Sequence, residues 1–373
     1  MQWTMGNASI GRIQERRGGG AAMRFEFKPY RAQARDEWET FVRGNPHAWP
    51  GHATAAMRLE EVSGHRNRSL MAYSTETGEL QGVIPLFEWT ERRSRIFRYR
   101  GLSTGNQLRG APLLKPGMGR RVVRDFWAEL AAYLRRMGRE GGVDEIMVAF
   151  PHHFGVEPVH AVYPYLPLRE YGYREQNMVT LVLDLPEDGE ALMAGFDKKA
   201  RGAIRYARKE GASFEPIEHR DTWMGCYELN LETFEGEPAS ALSRRKMEIL
   251  WEEFVEGGWA SVFGVRHQGR IIGTKMLVGT AEVQYAWYAF NHQPDRLRGA
   301  AELLVYETLC RMMARGVKIF ELGTIEFGNE RQRGIGRFKQ RFGGRPRYGM
   351  EGKLTLSPLK AATEQWLKAF WRK

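Results

Sequence analysis

The chain has 373 residues, with 56 lysines and arginines against 45 aspartates and glutamates, and a formal net charge of +11 at pH 7. Hydrophobic residues make up 42% and aromatic residues 12%, which excludes a disordered chain and allows two domains of ordinary size. The two cysteines, Cys226 and Cys310, exclude a disulfide framework and favour a reducing compartment. The excess of basic residues favours an anionic partner, such as a phosphorylated cofactor, a nucleic acid or a membrane surface. The alternative is a soluble basic protein without such a partner.

The N-terminal residues 1–22 lack the apolar core of a signal peptide, so we expect a flexible leader, with Met23 as an alternative start. No apolar run in the chain is long enough to span a bilayer. The first half then predicts a strand, two helices and a hairpin formed by RSLMAYST and LQGVIPLFEWT. A long amphipathic helix in VVRDFWAELAAYLRRMGREGG and a buried strand in VDEIMVAF follow.

The second half, from NMVTLVLDL onwards, repeats this outline with weak residue identity. Helices come first, and three antiparallel strands follow in WASVFGVRHQG, RIIGTKMLVGT and EVQYAWYAFN. A loop, a helix from Glu302 to Arg315 and the buried strand VKIFELG come next. The repeated order predicts an α/β (α+β) fold with two tandem units at 23–175 and 176–373, each a mostly antiparallel mixed sheet flanked by helices.

The stretch RLRGAA, between the third of these strands and the helix, has the composition of a phosphate-binding loop. Arg296 and Arg298 supply charge and fork-shaped donors, while Gly299, Ala300 and Ala301 are small enough for a pyrophosphate to approach the first turn of the helix. The alternative is an ordinary helix start with small residues. The strand–loop–helix–strand context favours the phosphate site.

These motifs, in this order, resemble the GNAT acyltransferase superfamily, and in particular the double-GNAT Fem-type peptidyltransferases and their CelD-like relatives. The likeness rests on GRIIGTKMLVGT, QYAWYAFN, RLRGAAELLVYETLCRMMARGVKIFELG and GRFKQRFGG. Arg296, Gly299 and Ala301 match the family's Arg/Gln-x-x-Gly-x-Gly/Ala loop. The resemblance implies two tandem GNAT-like domains, with the loop in the C-terminal one. It also implies an N-acyltransferase that uses acyl-CoA, or alternatively aminoacyl-tRNA, with no metal.

The acceptor that the resemblance implies is an amine, on a lipid-linked or sugar precursor of the cell wall (peptidoglycan) or of an exopolysaccharide. Lys339 matches the lysine of the family's Phe-Lys-x-x-Phe-Gly run, which implies a role beside the oxyanion; a surface lysine is the alternative. Glu321, at the end of VKIFELG, is the candidate base, and Glu326 and Glu330 in the following loop are the alternatives. Tyr288 is the candidate proton donor, with Tyr285 as the alternative. Strict alternation would let only one of Tyr285 and Tyr288 face the site. Each candidate acid and tyrosine could instead be a packing residue of the sheet.

A basic stripe lies in FDKKARGAIRYARKEG, where Lys198, Arg201, Arg205 and Arg208 recur at steps of three and four. It predicts a substrate-binding face for tRNA phosphates, a substrate diphosphate or an acidic lipid surface; a solvated helix face is the alternative. This stripe also carries the second functional hypothesis. In that hypothesis the protein is not an enzyme, and it binds an anionic glycan, lipid or nucleic acid on a degenerate GNAT scaffold.

The histidine cluster HHFGVEPVH contains His152, His153 and His160 but lacks the cysteine or acidic spacing of a metal site, so we expect no metal. The expected location is the cytoplasm. A lipid-linked acceptor would add peripheral contact with the inner face of the membrane.

Overall fold

The computed structural model describes residues 24–92, 97–151, 168–235, 237, 240–291, 297–325, 328 and 330–370. The predicted leader and the histidine cluster lie outside these residues. The described strands are β1 (Phe25–Pro29), β2 (Arg66–Asn67), β3 (Leu70–Ser74), β4 (Leu80–Ile84), β5 (Phe87–Arg92), β6 (Arg98–Ser103), β7 (Leu113–Leu114), β8 (Glu145–Ala149), β9 (Arg174–Asp184), β10 (Ser213–Pro216), β11 (Ala260–His267), β12 (Arg270–Gly279), β13 (Val283–Asn291), β14 (Ile319–Thr324) and β15 (Arg345–Thr355).

The strands form two sheets. The smaller sheet has the order β1-β3-β4-β7, and the larger has the order β10-β11-β12-β13-β14-β9-β15-β8-β6-β5-β2. Two neighbouring pairs in the larger sheet, β13–β14 and β6–β8, are parallel, and the other described pairs are antiparallel. The predicted mostly antiparallel mixed sheet is therefore confirmed. Strand β15 joins the halves, since it pairs with β8 on one side and β9 on the other.

Helices cover the faces of the sheets, as the amphipathic patterns predict. The described helices are α1 (Arg35–Arg43), α2 (Thr54–Val62), α3 (Arg120–Glu140), α4 (Gly189–Ala194), α5 (Lys198–Lys209), α6 (Arg220–Gly225), α7 (Tyr227–Thr233), α8 (Arg244–Ile249), α9 (Ala300–Ala314), α10 (Glu330–Gln340) and α11 (Pro358–Phe370). A π-helical segment, Leu250–Val255, continues α8. Asp197 caps the N-terminus of helix α5: its carboxylate accepts a hydrogen bond from the Ala200 N–H (2.6 Å) and thereby satisfies one free donor of the first turn.

One hydrophobic cluster lies mainly within each half of the chain, and another lies where the two halves meet. In the first half, Phe126 and Leu130 of α3 pack on the sheet. In the second half, α9 and α5 pack on one face of β11–β14. The opposite face of β11–β13 packs against helices of both halves, where Leu59 of α2 shares a cluster with Trp223 of α6. Because burial of large apolar side chains is the dominant stabilising term, this shared cluster fixes the first half against one face of the second-half sheet.

Candidate active site

A cavity of about 600 Å³ opens on the α9 face of the second-half sheet, a volume typical of small-molecule sites. Strands β12, β13 and β14, the start of α9 and helix α10 form its walls. The lining residues are Thr233, Phe234, Ile272, Lys275, Ala289, Asn291, Leu297, Arg298, Gly299, Ala300, Ala301, Glu302, Val305, Leu322, Arg331, Gly334, Ile335, Phe338, Lys339 and Arg341. The structure thus brings four of the five predicted loop residues together with Lys339. The fifth loop residue, Arg296, lies outside the described residues.

The loop requires glycine at position 299. Gly299 has φ +87°, and a Cβ there would lie 2.0 Å from the Ala203 carbonyl oxygen of α5, so another residue would meet both backbone strain and a clash. This close contact fixes the start of α9 against α5. The Arg298 guanidinium lies 5.7 Å from the Tyr206 ring centroid, which holds it beside the helix N-terminus. Positive charge and the helix dipole therefore meet at one end of the cavity.

An opening between β13 and β14 marks the inner end of this cavity. The two strands pair in parallel only from Val283–Ile319 to Tyr285–Glu321, although both continue. Gly323 lies at the opening with φ +89°, and a Cβ there would be 3.0 Å from Lys339 Nζ and 3.4 Å from Tyr285 Cε2. The Lys339 ammonium donates to the Thr324 carbonyl oxygen (2.9 Å). The structure therefore places Lys339 at the point where the strands separate.

Tyr285 and Tyr288 lie on the same face of β13, the face away from this cavity. The prediction that they point to opposite faces is therefore wrong. The ladder register pairs Tyr288 with Met276 and Tyr285 with Val278, which leaves Trp287 as an extra residue in β13. This β-bulge breaks the strict alternation, and both tyrosines pack in the cluster at the junction of the halves. Burial raises the pKa of both phenols, so both are protonated at neutral pH.

Glu321 lies on the same face as the tyrosines. It is fully buried and accepts a hydrogen bond from Thr180 Oγ1 (2.6 Å). Its neighbours Phe320 and Leu322 point to the α9 face, and it lies opposite Tyr285 in the register. After burial, the Glu321 carboxylate is the next cause of the raised pKa of Tyr285. Of the predicted catalytic residues, Glu321 and Tyr288 therefore lie on one face of the sheet. Lys339 reaches the opening from the opposite face.

A second cavity, of about 270 Å³, lies on the tyrosine face, where the halves meet. The loop 105–109 of the first half lines it, together with Tyr285 and Glu351. Arg109 forms an ion pair with Glu351 (3.1 Å), and both side chains are nearly buried. The Tyr288 hydroxyl donates to Gln107 Oε1 (3.3 Å). The Tyr288–Gln107 hydrogen bond links the first-half loop to β13, and the Arg109–Glu351 ion pair links it to β15.

The buried carboxylate of Glu60, on α2, holds this loop in place. Its Oε1 atom accepts hydrogen bonds from the backbone N–H groups of Asn106 (2.6 Å) and Gln107 (2.7 Å), and its other oxygen pairs with His65. Sequence reasoning did not select these residues. A signal was present, because Leu-Arg-Gly-Ala occurs both at 108–111 and, in the predicted phosphate loop, at 297–300.

Lys275 on β12 is a second residue that sequence reasoning missed. It is only 9% exposed, and it lines the larger cavity. Burial, and then the charge of Lys339, lower its pKa from 10.5 to about 8. No described acid forms an ion pair with it. The signal was a lysine within the otherwise apolar strand run of RIIGTKMLVGT.

The predicted basic stripe on α5 is divided by the structure. Lys198 and Arg205 are exposed. Arg201 instead donates to the carbonyl oxygen of Phe196 (2.5 Å), and Arg208 forms an ion pair with Glu307 (2.5 Å). None of these side chains lines either cavity. The exposed cations nevertheless lie on the helix that packs against the start of α9.

The described part of the chain shows neither a metal-binding cluster nor a membrane-spanning helix. No group of three or more histidine, cysteine, aspartate or glutamate residues there has a geometry that would hold a metal ion. No described helix is both long and apolar enough to cross a membrane.

Comparison with known proteins shows what this arrangement is similar to. Residues 194–340 match the model of the GNAT acetyltransferase domain. The fold is similar to a crystal structure of FemX, with a TM-score of 0.63 and 14% identity over 90% of this chain and 99% of that one. No curated protein matches the sequence.

Two further solved structures share the fold. One is the C-terminal domain of a putative lysylphosphatidylglycerol synthetase from Agrobacterium fabrum, with a TM-score of 0.53 and 12% identity over 89% of this chain and 96% of that one. The other is a tandem GNAT protein from the clavulanic acid biosynthesis pathway, with a TM-score of 0.50 and 16% identity over 89% of this chain and 98% of that one. The predicted resemblance is confirmed: residues 194–340 match the GNAT acetyltransferase domain, and about nine tenths of the chain shares its fold with FemX and with the tandem GNAT protein.

Proposed function

We propose that the protein is an N-acyltransferase whose acyl donor binds in the larger cavity and whose amine acceptor binds in the smaller one. The observation that carries this proposal is the opening between β13 and β14. The phosphate loop and Lys339 line the cavity on one face of the sheet, and Tyr285 lines the cavity on the other. A donor carbonyl that reaches the opening from one side would meet an amine from the other.

The donor is acyl-CoA in this proposal, with aminoacyl-tRNA as the alternative. Gly299, Ala300 and Ala301 would let the donor's phosphates approach the N-terminus of α9, and Arg298 would add donors for them. Arg296 stays a proposed contact from the sequence motif. The fold shared with FemX favours an acceptor amine on a cell-wall precursor, and a lipid-linked acceptor would bring this protein to the cytoplasmic face of a membrane.

The reaction would proceed by direct attack. The neutral amine nitrogen attacks the carbonyl carbon, and the bond from that carbon to the thiolate or ribose oxygen then breaks. The Lys339 ammonium would stabilise the oxyanion. Glu321, directly or through a held water, would accept the amine proton, and the protonated phenol of Tyr288 would supply a proton to the leaving group.

Donor binding is the first test. Calorimetry should show that the protein binds CoA or, alternatively, charged tRNA, and mass spectrometry of co-purifying small molecules should identify the donor class. Arg298→Ala should weaken that binding at least about tenfold, because a charged donor to a phosphate contributes about 1.5–3 kcal/mol. Arg311→Ala, at the exposed far end of α9, is the matched control and should leave it unchanged. If Arg298→Ala binds the donor as tightly as wild type, the phosphate-loop assignment fails.

The exposed cations of α5 favour a second candidate function, in which the protein only binds an anionic glycan, lipid or nucleic acid. Lys198 and Arg205 are the residues to change, since the Arg201 guanidinium is occupied by carbonyl oxygens of its own chain. A Lys198→Ala/Arg205→Ala variant would lose salt-sensitive binding if this function holds. Acyl transfer by that variant at the wild-type rate would instead support the enzyme.

A further inference from the structure

The donor cavity contains a buried cation that binding of an ordinary CoA thioester leaves without a partner. Lys275 lies on β12 opposite Ala289 of β13, which also lines the cavity. It is three residues from Val278, the partner of Tyr285, and so lies about 10 Å along the strand from the level of the strand opening. The phosphate loop lies beyond the C-terminal end of β13. Lys275 is therefore between the phosphate loop and the proposed reaction centre.

The charges that surround Lys275 give it no counter-ion among the described residues. The other described ionisable groups that line the cavity are Arg298, Glu302, Arg331, Lys339 and Arg341. The single acid, Glu302, forms an ion pair with Arg341 (3.1 Å). Lys339 faces Lys275 from α10 and, with burial, lowers its pKa. Burial of an ammonium group without a counter-ion is costly, so packing alone does not explain a lysine here.

Acyl-CoA and aminoacyl-tRNA differ in the charge that they would place beside Lys275. In acyl-CoA the chain between the pyrophosphate and the thioester is uncharged, so it gives Lys275 no ionic partner. An anion at this depth must instead belong to the transferred acyl group, as a carboxylate, or to a nucleotide phosphate close to the reacting ester. Both are oxyanions that an ammonium group binds with charge-assisted hydrogen bonds.

We propose that Lys275 is a specificity-determining residue of the donor cavity, and that it binds an oxyanion, carboxylate or phosphate, carried by the donor near its reacting carbonyl. This inference rests on the proposed function, because it assumes that the larger cavity is the donor site. It adds that the donor is selected by a second negative charge, distinct from the phosphates at the start of α9.

Matched ligand pairs test this proposal on the full chain. Succinyl-CoA and butyryl-CoA have acyl chains of equal length that end in a carboxylate and a methyl group, respectively. A 3′-aminoacylamino-3′-deoxyadenosine with and without its 5′-phosphate forms the second pair. Calorimetry should show at least about tenfold tighter binding of the charged member in one pair, and that pair identifies the source of the oxyanion.

The variant Lys275→Met keeps an unbranched apolar side chain close to the length of the lysine stem and removes the charge. It should abolish the preference for the charged member and leave the affinity for the neutral member within about threefold. Lys318→Met, an exposed lysine outside the cavity, should retain the preference. Equal binding of both members of each pair by wild type, or a preference that survives in Lys275→Met, would overturn this proposal alone. If no probe binds at all, the proposed donor site falls together with it.

Discussion

Replacement of Lys275 by methionine should make the protein more stable at neutral pH. The pKa of Lys275 falls from 10.5 in the unfolded chain to about 8 in the folded protein. Each pKa unit corresponds to about 1.36 kcal/mol, so the buried charge costs about 3 kcal/mol of folding free energy. Methionine fills the space of the lysine stem without this cost. Lys275→Met should therefore raise the free energy of unfolding by about 3 kcal/mol at pH 7.

The pH dependence of this difference has a definite sign. The folded pKa is lowered, so the penalty is fully present below about pH 8, where both states bind the proton. Between about pH 8 and 10.5 the unfolded state alone binds it, and wild-type stability rises with pH relative to the variant. The charged neighbours that line the cavity, Arg298, Glu302, Arg331, Lys339 and Arg341, are the same in both proteins.

Urea unfolding of wild type and Lys275→Met, at steps from about pH 6.5 to 10.5, measures the effect. The difference in unfolding free energy should shrink from about 3 kcal/mol towards zero across the upper part of this range. Lys318→Met should stay within about 0.5 kcal/mol of wild type throughout. A difference that does not change with pH, or a variant less stable than wild type at pH 7, would refute the assignment of Lys275 as a buried, unneutralised cation.

Three other substitutions test the loop, the junction and the chemistry. Gly299→Ala should destabilise the fold by about 3 kcal/mol or more and weaken donor binding, because it adds a backbone clash to positive-φ strain. Gly316→Ala, with φ +81° and open space around its Cβ, should cost only about 1 kcal/mol in the same urea assay. Glu60→Ala should cost about 2–4 kcal/mol by leaving two loop N–H groups without an acceptor, against less than about 1 kcal/mol for the exposed Glu61→Ala on the same helix. Tyr288→Phe should lower kcat for transfer about a hundredfold while lowering the free energy of unfolding by no more than about 1.5 kcal/mol, the contribution of the lost hydrogen bond to Gln107, and full activity would remove Tyr288 from the mechanism.

The local features of the fold and the site could be predicted from the sequence, because they depend on short-range periodicity and on residue size. The helix predicted from Glu302 to Arg315 is observed as Ala300–Ala314, and Gly299 does occupy a left-handed turn before it. Lys339 was selected through the family resemblance and lines the cavity beside the loop. The helix and the turn depend on residues close together in the chain, whereas Lys339 required the order of motifs along the second half.

The missed features depend on contacts that helix and strand periodicity does not show, and some of these join distant segments. Arg109 and Glu351 are 242 positions apart, and the register of β15 between β8 and β9 brings them together. Arg201 looked like part of a binding stripe until the structure showed its contact with the Phe196 carbonyl oxygen. Periodicity places a side chain on a helix face, but it does not show which backbone groups that face meets.

The bulge at Trp287 explains why one strand can serve two cavities. In a regular strand, Tyr285 and Tyr288 would point to opposite faces. The extra residue puts Ala286 and Ala289 opposite Leu277 and Lys275 on the α9 face instead. The small alanines thus leave room on the donor side, while the two phenols stay together on the junction side. A single inserted residue in β13 therefore separates the space proposed for the donor from the groups proposed for proton transfer, on either side of the opening where Lys339 lies.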